Sequence, residues 1–183
     1  LTESCTHLAM SPAGKVLAVC YASENGYSIK VLDPSNSSVL QQIDGLTRPK
    51  SLHFSSDGDS LWLCGYNPSR MIEVHWRTGK VVELPESLPS VIADVVVSND
   101  AGLVALRGTE GLHLYSGNSW VEVREQNLEP VRSARVGLNG NGTMTATNYD
   151  ESTTQLIDIH SGQTLALMSA YPRETIRFYE FSP

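Results

Sequence analysis

The chain has 183 residues, a formal net charge of −7 and an apolar fraction of 40%. Its length suits one globular domain whose core buries roughly 70% of the unfolded surface. The negative charge gives no general support for nucleic-acid binding, and no apolar run reaches the length of about 18 residues that a membrane span needs, so neither is expected as a direct partner.

A turn glycine recurs along the chain and marks a repeat. Gly14, Gly58, Gly102 and Gly142 each close a short polar turn, and they are 44, 44 and 40 residues apart. A period in the forties is the size of one four-stranded β-propeller blade. The turns contain Gly, Asn, Asp or Pro, which tight reversals require.

The residues around each glycine predict four modules, at 5–43, 50–84, 91–124 and 132–169. Mostly apolar residues lie four and six positions before the glycine, a period of two that is typical of one strand face. Four positions after it come Ala18, Trp62, Leu106 and Ala146. Six positions after it come Cys20, Cys64, Gly108 and Asn148. Their small or medium size predicts a close approach between strands or sheets.

Further strands follow in each module. They are predicted at Ile29–Leu32, Ile72–His75, Leu112–Tyr115 and Gln155–Ile157, and outer strands at 39–43, 80–84, 120–123 and 164–167. Asp44–Arg48 is predicted to be a loop. Residues 175–183 predict the leading strand of a fifth module, with Tyr179 and Phe181 at the places of Leu8 and Met10.

Three segments in order, Ser11–Gly14, Lys15–Ala18 and Ser28–Asp33, resemble the WD-repeat family of β-propellers, or related YVTN-like propellers with looser repeats. Ile157–Gly162 resembles the last of these segments in the fourth module. The Trp-Asp dipeptide is reduced to its aspartate, at Asp33 and Asp158. The resemblance implies a non-catalytic scaffold that binds other proteins or peptides.

We therefore expect an all-β fold, a β-propeller with four four-stranded antiparallel blades plus the first strand of a fifth, in a single domain. Propellers of the resembled family commonly have about seven blades. The chain is accordingly interpreted as a piece of a larger propeller, with the missing blades of its parent chain as one partner. A closed four-bladed ring and two copies that complete each other are the alternatives.

Six basic residues fall at or near the predicted connections between blades: Arg48, Lys50, Arg132, Arg135, Arg173 and Arg177. In a propeller these connections gather around the mouth of the channel. Such a cluster predicts a binding site for an acidic peptide or a phosphate group. Acidic residues such as Asp44 and Asp94 share the connections, so a solvated face of mixed charge is the alternative.

No catalytic motif is present. The sequence lacks a Gly-x-Ser-x-Gly elbow and a phosphate loop, and its five histidines show no metal-ligand spacing, so no enzyme, cofactor or metal is expected. The alternative is part of a lactonase-like or quinoprotein-like propeller enzyme with a site at the channel mouth. Its channel-lining positions would be Ala9, His53, Val97, Gly137 and Glu180. Only His53 and Glu180 suit catalysis.

The three cysteines do not form a disulfide pattern. Cys20 and Cys64 are one repeat apart, which predicts two buried apolar residues at equivalent positions. This usage favours a reducing, intracellular and cytoplasmic location. Asn36 and Asn141 match glycosylation acceptors, which matters only if the protein is secreted.

Overall fold

The computed structural model describes residues 4–23, 26–65, 71–84, 88–89, 91–98, 102–108, 111–117, 119–127, 135–150, 152–169 and 181. The regular elements in these ranges are all β-strands. Within the same ranges there is accordingly no helix long and apolar enough to cross a membrane. The chain divides into two compact units, Leu1–Leu88 and Pro89–Pro183.

The first unit contains two four-stranded antiparallel sheets, each in chain order. Sheet A consists of β1 (Cys5–Met10), β2 (Leu17–Ser23), β3 (Gly26–Leu32) and β4 (Val39–Leu46). Sheet B consists of β5 (Pro49–Phe54), β6 (Ser60–Gly65), β7 (Met71–His75) and β8 (Lys80–Glu83). The leading strands β1 and β5, which precede the repeated turn, lie beside each other.

The second unit repeats this arrangement with two more four-stranded antiparallel sheets. Sheet C consists of β9 (Ile92–Ser98), β10 (Leu103–Gly108), β11 (Gly111–Ser116) and β12 (Val121–Asn127). Sheet D consists of β13 (Val136–Leu138), β14 (Met144–Asn148), β15 (Thr153–Asp158) and β16 (Thr164–Ser169). The leading strands of these two sheets, β9 and β13, also lie beside each other.

The predicted all-β fold with four four-stranded antiparallel sheets is confirmed, and the architecture is β-propeller-like. The fifth leading strand, predicted at 175–183, lies outside the described residues except for Phe181. The loop predicted at Asp44–Arg48 is wrong in its first half. Strand β4 continues to Leu46, which pairs with Tyr27 after a register shift and is buried.

The repeated turn is built from one glycine and one capping side chain. In sheet A, the Gly14 N–H donates to the Ser11 carbonyl at 2.8 Å, and the Val16 N–H donates to Ser11 Oγ at 3.0 Å. Gly14 has a φ of 68°, which a glycine adopts without steric cost. The same bonds join Ser55, Gly58 and Ser60 in sheet B and Asn139, Gly142 and Met144 in sheet D.

The turn glycine of sheet C is the fifth residue of its turn, whereas in the other three sheets it is the fourth. The Gly102 N–H donates to the carbonyl of Ser98, four residues back, at 3.1 Å. Val97 pairs with Val104 across the turn, just as Met10 pairs with Leu17 in sheet A. Ser98 is thus the equivalent of Ser11, and alignment on the glycine misplaces the third module by one residue.

This shift corrects two predictions in sheet C. The equivalents of Ala18 and Cys20 are Ala105 and Arg107, and the prediction of Leu106 and Gly108 is wrong. Because side chains alternate along a strand, a slip of one residue moves each of them to the other face. Ala105 packs between sheets C and D, and Arg107 is fully buried and donates to two backbone carbonyls.

Each unit has its core between its two sheets. In the first unit, sheet A contributes the face with Ala18 and Cys20, and sheet B contributes the face with Leu52 and Phe54. In the second unit, the core has Ala105 and Leu114 from sheet C and Val136, Leu138 and Ile157 from sheet D.

The cysteine prediction is confirmed. Cys20 and Cys64 are thiols with no exposed surface, at equivalent places on β2 and β6. Burial, as the largest cause, raises the pKa of Cys20, so its reactive thiolate is disfavoured. Both residues therefore act as small apolar residues in the sheets.

Truncation of a core residue tests this assignment of the core. Leu61 on β6 is fully buried between sheets A and B. We expect Leu61→Ala to lower the free energy of unfolding by about 2–5 kcal/mol, because it removes buried methyl groups and leaves a cavity. The matched control Val81→Ala, on the exposed strand β8, should change it by less than about 0.5 kcal/mol. Urea denaturation measures both, and equal losses would contradict the assignment.

Candidate functional site

Arg48 and Lys50 lie where the chain passes from sheet A to sheet B. Arg48 is in the two-residue connection before β5 and is exposed, and Lys50 is on β5 and half-buried. The ring of His7, on β1, places Nε2 2.9 Å from the Lys50 carbonyl oxygen. This bond joins the leading strands of the two sheets, two residues after Arg48.

Arg135 lies just before β13 in the second unit and is tied to its surroundings. Its backbone N–H donates to Asn148 Oδ1 at 2.7 Å. Its guanidinium Nη1 is 3.9 Å from Oδ1 of Asp94, on β9, and Asp94 Oδ2 accepts the Val136 N–H at 3.1 Å. Asp94 thus links sheets C and D, and its carboxylate partly offsets the charge of Arg135.

Asp94 is largely buried, with one fifth of its side chain exposed. Burial raises the pKa of this carboxyl above its ordinary value of 3.8, against the smaller lowering by the Val136 N–H and by Arg135. The negative residue that the sequence places among the basic ones is therefore structural, since it bridges two leading strands.

The structure describes half of the predicted basic cluster. Arg48 and Lys50 belong to the first unit and Arg135 to the second. Arg132, Arg173 and Arg177 lie outside the described residues. Arg48 and Lys50 thus lie at one connection between two sheets. That all six basic residues lie close together stays a prediction.

The two aspartates that carry the sequence resemblance act within their own turns. Asp158 Oδ1 accepts the backbone N–H and the hydroxyl of Ser161, each at 2.7 Å, and these bonds lower the pKa of Asp158. Asp33 Oδ1 accepts from the hydroxyl and N–H of Ser35, which lowers its pKa in the same way. Both residues stabilise the turn before the outer strand.

An exposed apolar face on sheet A is a feature that sequence reasoning missed. Leu8 and Met10, on β1, are 62% and 50% exposed. Their side chains point away from sheet B, because the alternate residue Ala9 packs against the core between the sheets. Leu17, Val19 and Leu32 pair along the same face and are only partly buried.

The equivalent residues are buried where a preceding sheet is present in the same unit. In sheet B, Leu52 and Phe54 are each 4% exposed against sheet A. In sheet D, Val136 and Leu138 are 5% and 8% exposed against sheet C. The exposure of Leu8 and Met10 is therefore a departure from the repeat.

The positions predicted to line a channel need one correction. The register of sheet C makes Val96 the equivalent of Ala9, so the prediction of Val97 is wrong. Val96 packs against the core of the second unit. His53 is half-buried at its place on β5, and Glu180 lies outside the described residues.

A group that can hold a metal ion lies elsewhere, on β11 and β12. Ligand atoms of His113, Glu122 and Glu125 are within 4.8 Å of one another. No sequence motif predicts this group, since its residues are not at a recognised spacing and come together only through strand pairing.

Comparison with known proteins supports the fold alone. No protein-family model and no curated protein matches the sequence. Among solved structures, the chain is similar to Kuenenia stuttgartiensis hydrazine synthase, with a TM-score of 0.67 and 16% sequence identity over 89% of this chain. The match spans 48% of that chain, so the present chain corresponds to about half of its length.

The buried carboxyl of Asp94 predicts a pH dependence of stability. Because its pKa is raised on folding, its contribution is full below pH 3.8 and is lost as the pH rises through the higher folded value. Asp94→Asn does not ionise and keeps an acceptor for the Val136 N–H. We expect the variant to gain stability relative to wild type as the pH rises from about 3 to about 7.

Urea denaturation across this pH range measures the difference, with Asp150→Asn as the control. Hydrogen bonds, chiefly from the Ser152 N–H, lower the pKa of Asp150, so its contribution is present above the ordinary pKa and lost at acid pH. Asp150→Asn should therefore lose stability relative to wild type as the pH rises. A flat difference for Asp94→Asn would show that the bridge does not oppose ionisation.

Proposed function

We propose that this chain is a non-catalytic interaction module, a WD-repeat-like piece of a larger β-propeller of about seven blades. The observation that supports it is the exposed face of sheet A, where Leu8 and Met10 lie open to solvent. The proposed occupant of this face is a further four-stranded sheet of the same repeat, supplied by the parent chain.

The repeat itself argues for this occupant. In sheet B the equivalents Leu52 and Phe54 pack against the small side chains Ala18 and Cys20 of the preceding sheet. In sheet D, Val136 and Leu138 pack against a face that carries Ala105. A sheet that presents small residues at these places fits Leu8 and Met10 by the same packing.

The energetics favour coverage of this face. Complete burial of a fully exposed large apolar side chain stabilises by about 1.5–3 kcal/mol. Because Leu8 and Met10 are 62% and 50% exposed, covering both contributes about 2–3 kcal/mol. Monomeric proteins rarely leave contiguous apolar patches exposed without an interaction that uses them.

The second proposed surface takes an acidic peptide at the connection between sheets A and B. Arg48 is exposed there, two residues before the carbonyl that His7 contacts. A guanidinium suits bidentate recognition of a carboxylate. The proposed location is a reducing cytoplasm, which agrees with the three thiols.

Introducing charge on the exposed face of sheet A tests the proposal that a further sheet covers it. We expect the double substitution Leu8→Asp and Met10→Asp to lower the unfolding free energy of the complete parent protein by about 3 kcal/mol or more, since it would bury two charges at a sheet interface. In the 183-residue chain the same change should cost less than about 1 kcal/mol, because both residues are exposed.

Thermal and urea unfolding of the two proteins measure this difference. Leu52→Asp with Phe54→Asp is the control, since these residues are buried against sheet A and should destabilise both proteins. Equal small effects of the first pair in both proteins, or a natural protein of only 20.0 kDa, would contradict the proposal.

Removal of the exposed guanidinium tests the peptide surface. With a fluorescein-labelled glutamate-rich peptide as probe, we expect Arg48→Ala to weaken binding by about two- to fivefold, the range of one exposed ion pair. Lys15→Ala is the matched control, because it removes the same charge from the exposed repeated turn of sheet A.

Fluorescence anisotropy measures the peptide affinity of each variant at about 0.05 and 0.15 M salt. The two salt concentrations show how far each charge is screened. Equal effects of Arg48→Ala and Lys15→Ala would mean that the peptide responds to net charge only. That result would remove the peptide surface and leave the proposal of a missing sheet untouched.

A further inference from the structure

Three side chains with metal-binding atoms converge on one face of sheet C. A ring nitrogen of His113, on β11, and carboxylate oxygens of Glu122 and Glu125, on β12, all lie within 4.8 Å of one another. His113 Nδ1 is 2.9 Å from Glu122 Oε1. One nitrogen and two carboxylate oxygens at this separation can surround a single ion.

The pairing of β11 with β12 creates this arrangement. His113 lies directly opposite Glu125, and Tyr115 lies opposite Glu122. The register shifts between Leu114 and Tyr115, so that β12 carries one extra residue at this point. This β-bulge turns Glu122 to the face of His113 and Tyr115, where a regular ladder would place Val123.

The other sheets provide an internal comparison at the same three places. The equivalents of His113, Glu125 and Glu122 follow from the strand registers. They are Lys30, Gln42 and Val39 in sheet A, Ile72, Glu83 and Val81 in sheet B, and Gln155, Leu167 and Thr164 in sheet D. None of these sets offers three ligands, although sheets A and D have the same register shift as sheet C. The group in sheet C therefore departs from the repeat in chemistry.

Glu122 and Glu125 give this face of sheet C a negative potential. Burial, as the largest cause, and then Glu122 and Glu125 raise the pKa of Tyr115 to about 12. Its ring stacks beside His113, with the ring centroids 6.4 Å apart. Two carboxylates on one side of a small aromatic cluster favour a cation between them.

The ligands are open to solvent to different degrees. The side chains of Glu122 and His113 are 42% and 17% exposed, so the carboxylate is accessible while the ring is mostly covered. The ring lies close to the backbone because residue 111 is glycine. A Cβ atom there would approach His113 Nε2 to 3.3 Å. The close approach directs Nδ1 toward the carboxylates.

We propose that His113, Glu122 and Glu125 form a binding site for a divalent transition-metal ion, with Zn²⁺ as the probe. A nitrogen ligand with two carboxylates suits Zn²⁺ better than Ca²⁺, which takes six to eight oxygens. Three protein ligands leave a fourth position for water or for an acidic group of a partner. The site does not depend on the proposed propeller module, because it uses β11 and β12 alone.

Calorimetric titration of the metal-free chain with ZnCl₂ tests the site, and Co²⁺ absorbance reports its geometry. We expect one equivalent of Zn²⁺ to bind at pH 7.5, and Glu122→Gln or Glu125→Gln to weaken binding by about tenfold or more.

Two controls keep the test specific. Glu83→Gln changes the equivalent carboxylate of sheet B, and His160→Ala removes an exposed histidine in the turn before β16. Both should bind Zn²⁺ like wild type, and urea denaturation confirms that every variant is folded. Absence of saturable Zn²⁺ binding to the wild-type chain would overturn the proposal. So would an affinity of Glu122→Gln and Glu125→Gln equal to that of the wild type.

Discussion

The register of the leading hairpin determines which face of each sheet is buried. In sheet A the Ser11 hydroxyl accepts the N–H of Val16, and Gly14 takes a left-handed conformation between them. Together they fix which residues of the leading hairpin face each other. Because side chains alternate, the register also decides which face carries Ala18 and Cys20 toward the next sheet of the unit. The packing between sheets follows from this local geometry.

Sheet C keeps this register with a different arrangement of the turn. Ser98 keeps the place of Ser11 although Gly102 comes one residue late. Its hydroxyl donates instead to the Gly140 carbonyl at 2.5 Å, which joins the turn of sheet C to the turn of sheet D. At the opposite end of the same strand, Asp94 accepts the Val136 N–H. Two side-chain bonds therefore join sheet C to sheet D, one near each end of β9.

The sequence predicts those parts of the structure that depend on local signals. Alternation of side chains and the turn residues locate the strands, and the repeat period predicts the burial of Cys20 and Cys64. Register is harder, because it depends on pairing rather than on composition, and the late Gly102 misleads the alignment. The bulge after Leu114 is not visible in the sequence, although it decides that Glu122 lies near His113. Contacts of this kind need the backbone.

The two departures from the repeat differ in kind, and each indicates a different partner. In sheet A the sequence keeps the apolar residues of the repeat at Leu8 and Met10, but the structure leaves them uncovered. In sheet C the backbone keeps its pattern, but the sequence puts ionisable groups at His113 and Glu122 where other sheets carry neutral residues or a single lysine. Uncovered apolar residues gain free energy from an apolar surface, whereas converging ligand atoms gain it from a cation. Because the repeat supplies equivalents within one molecule, each departure can be compared with matched positions in the other sheets.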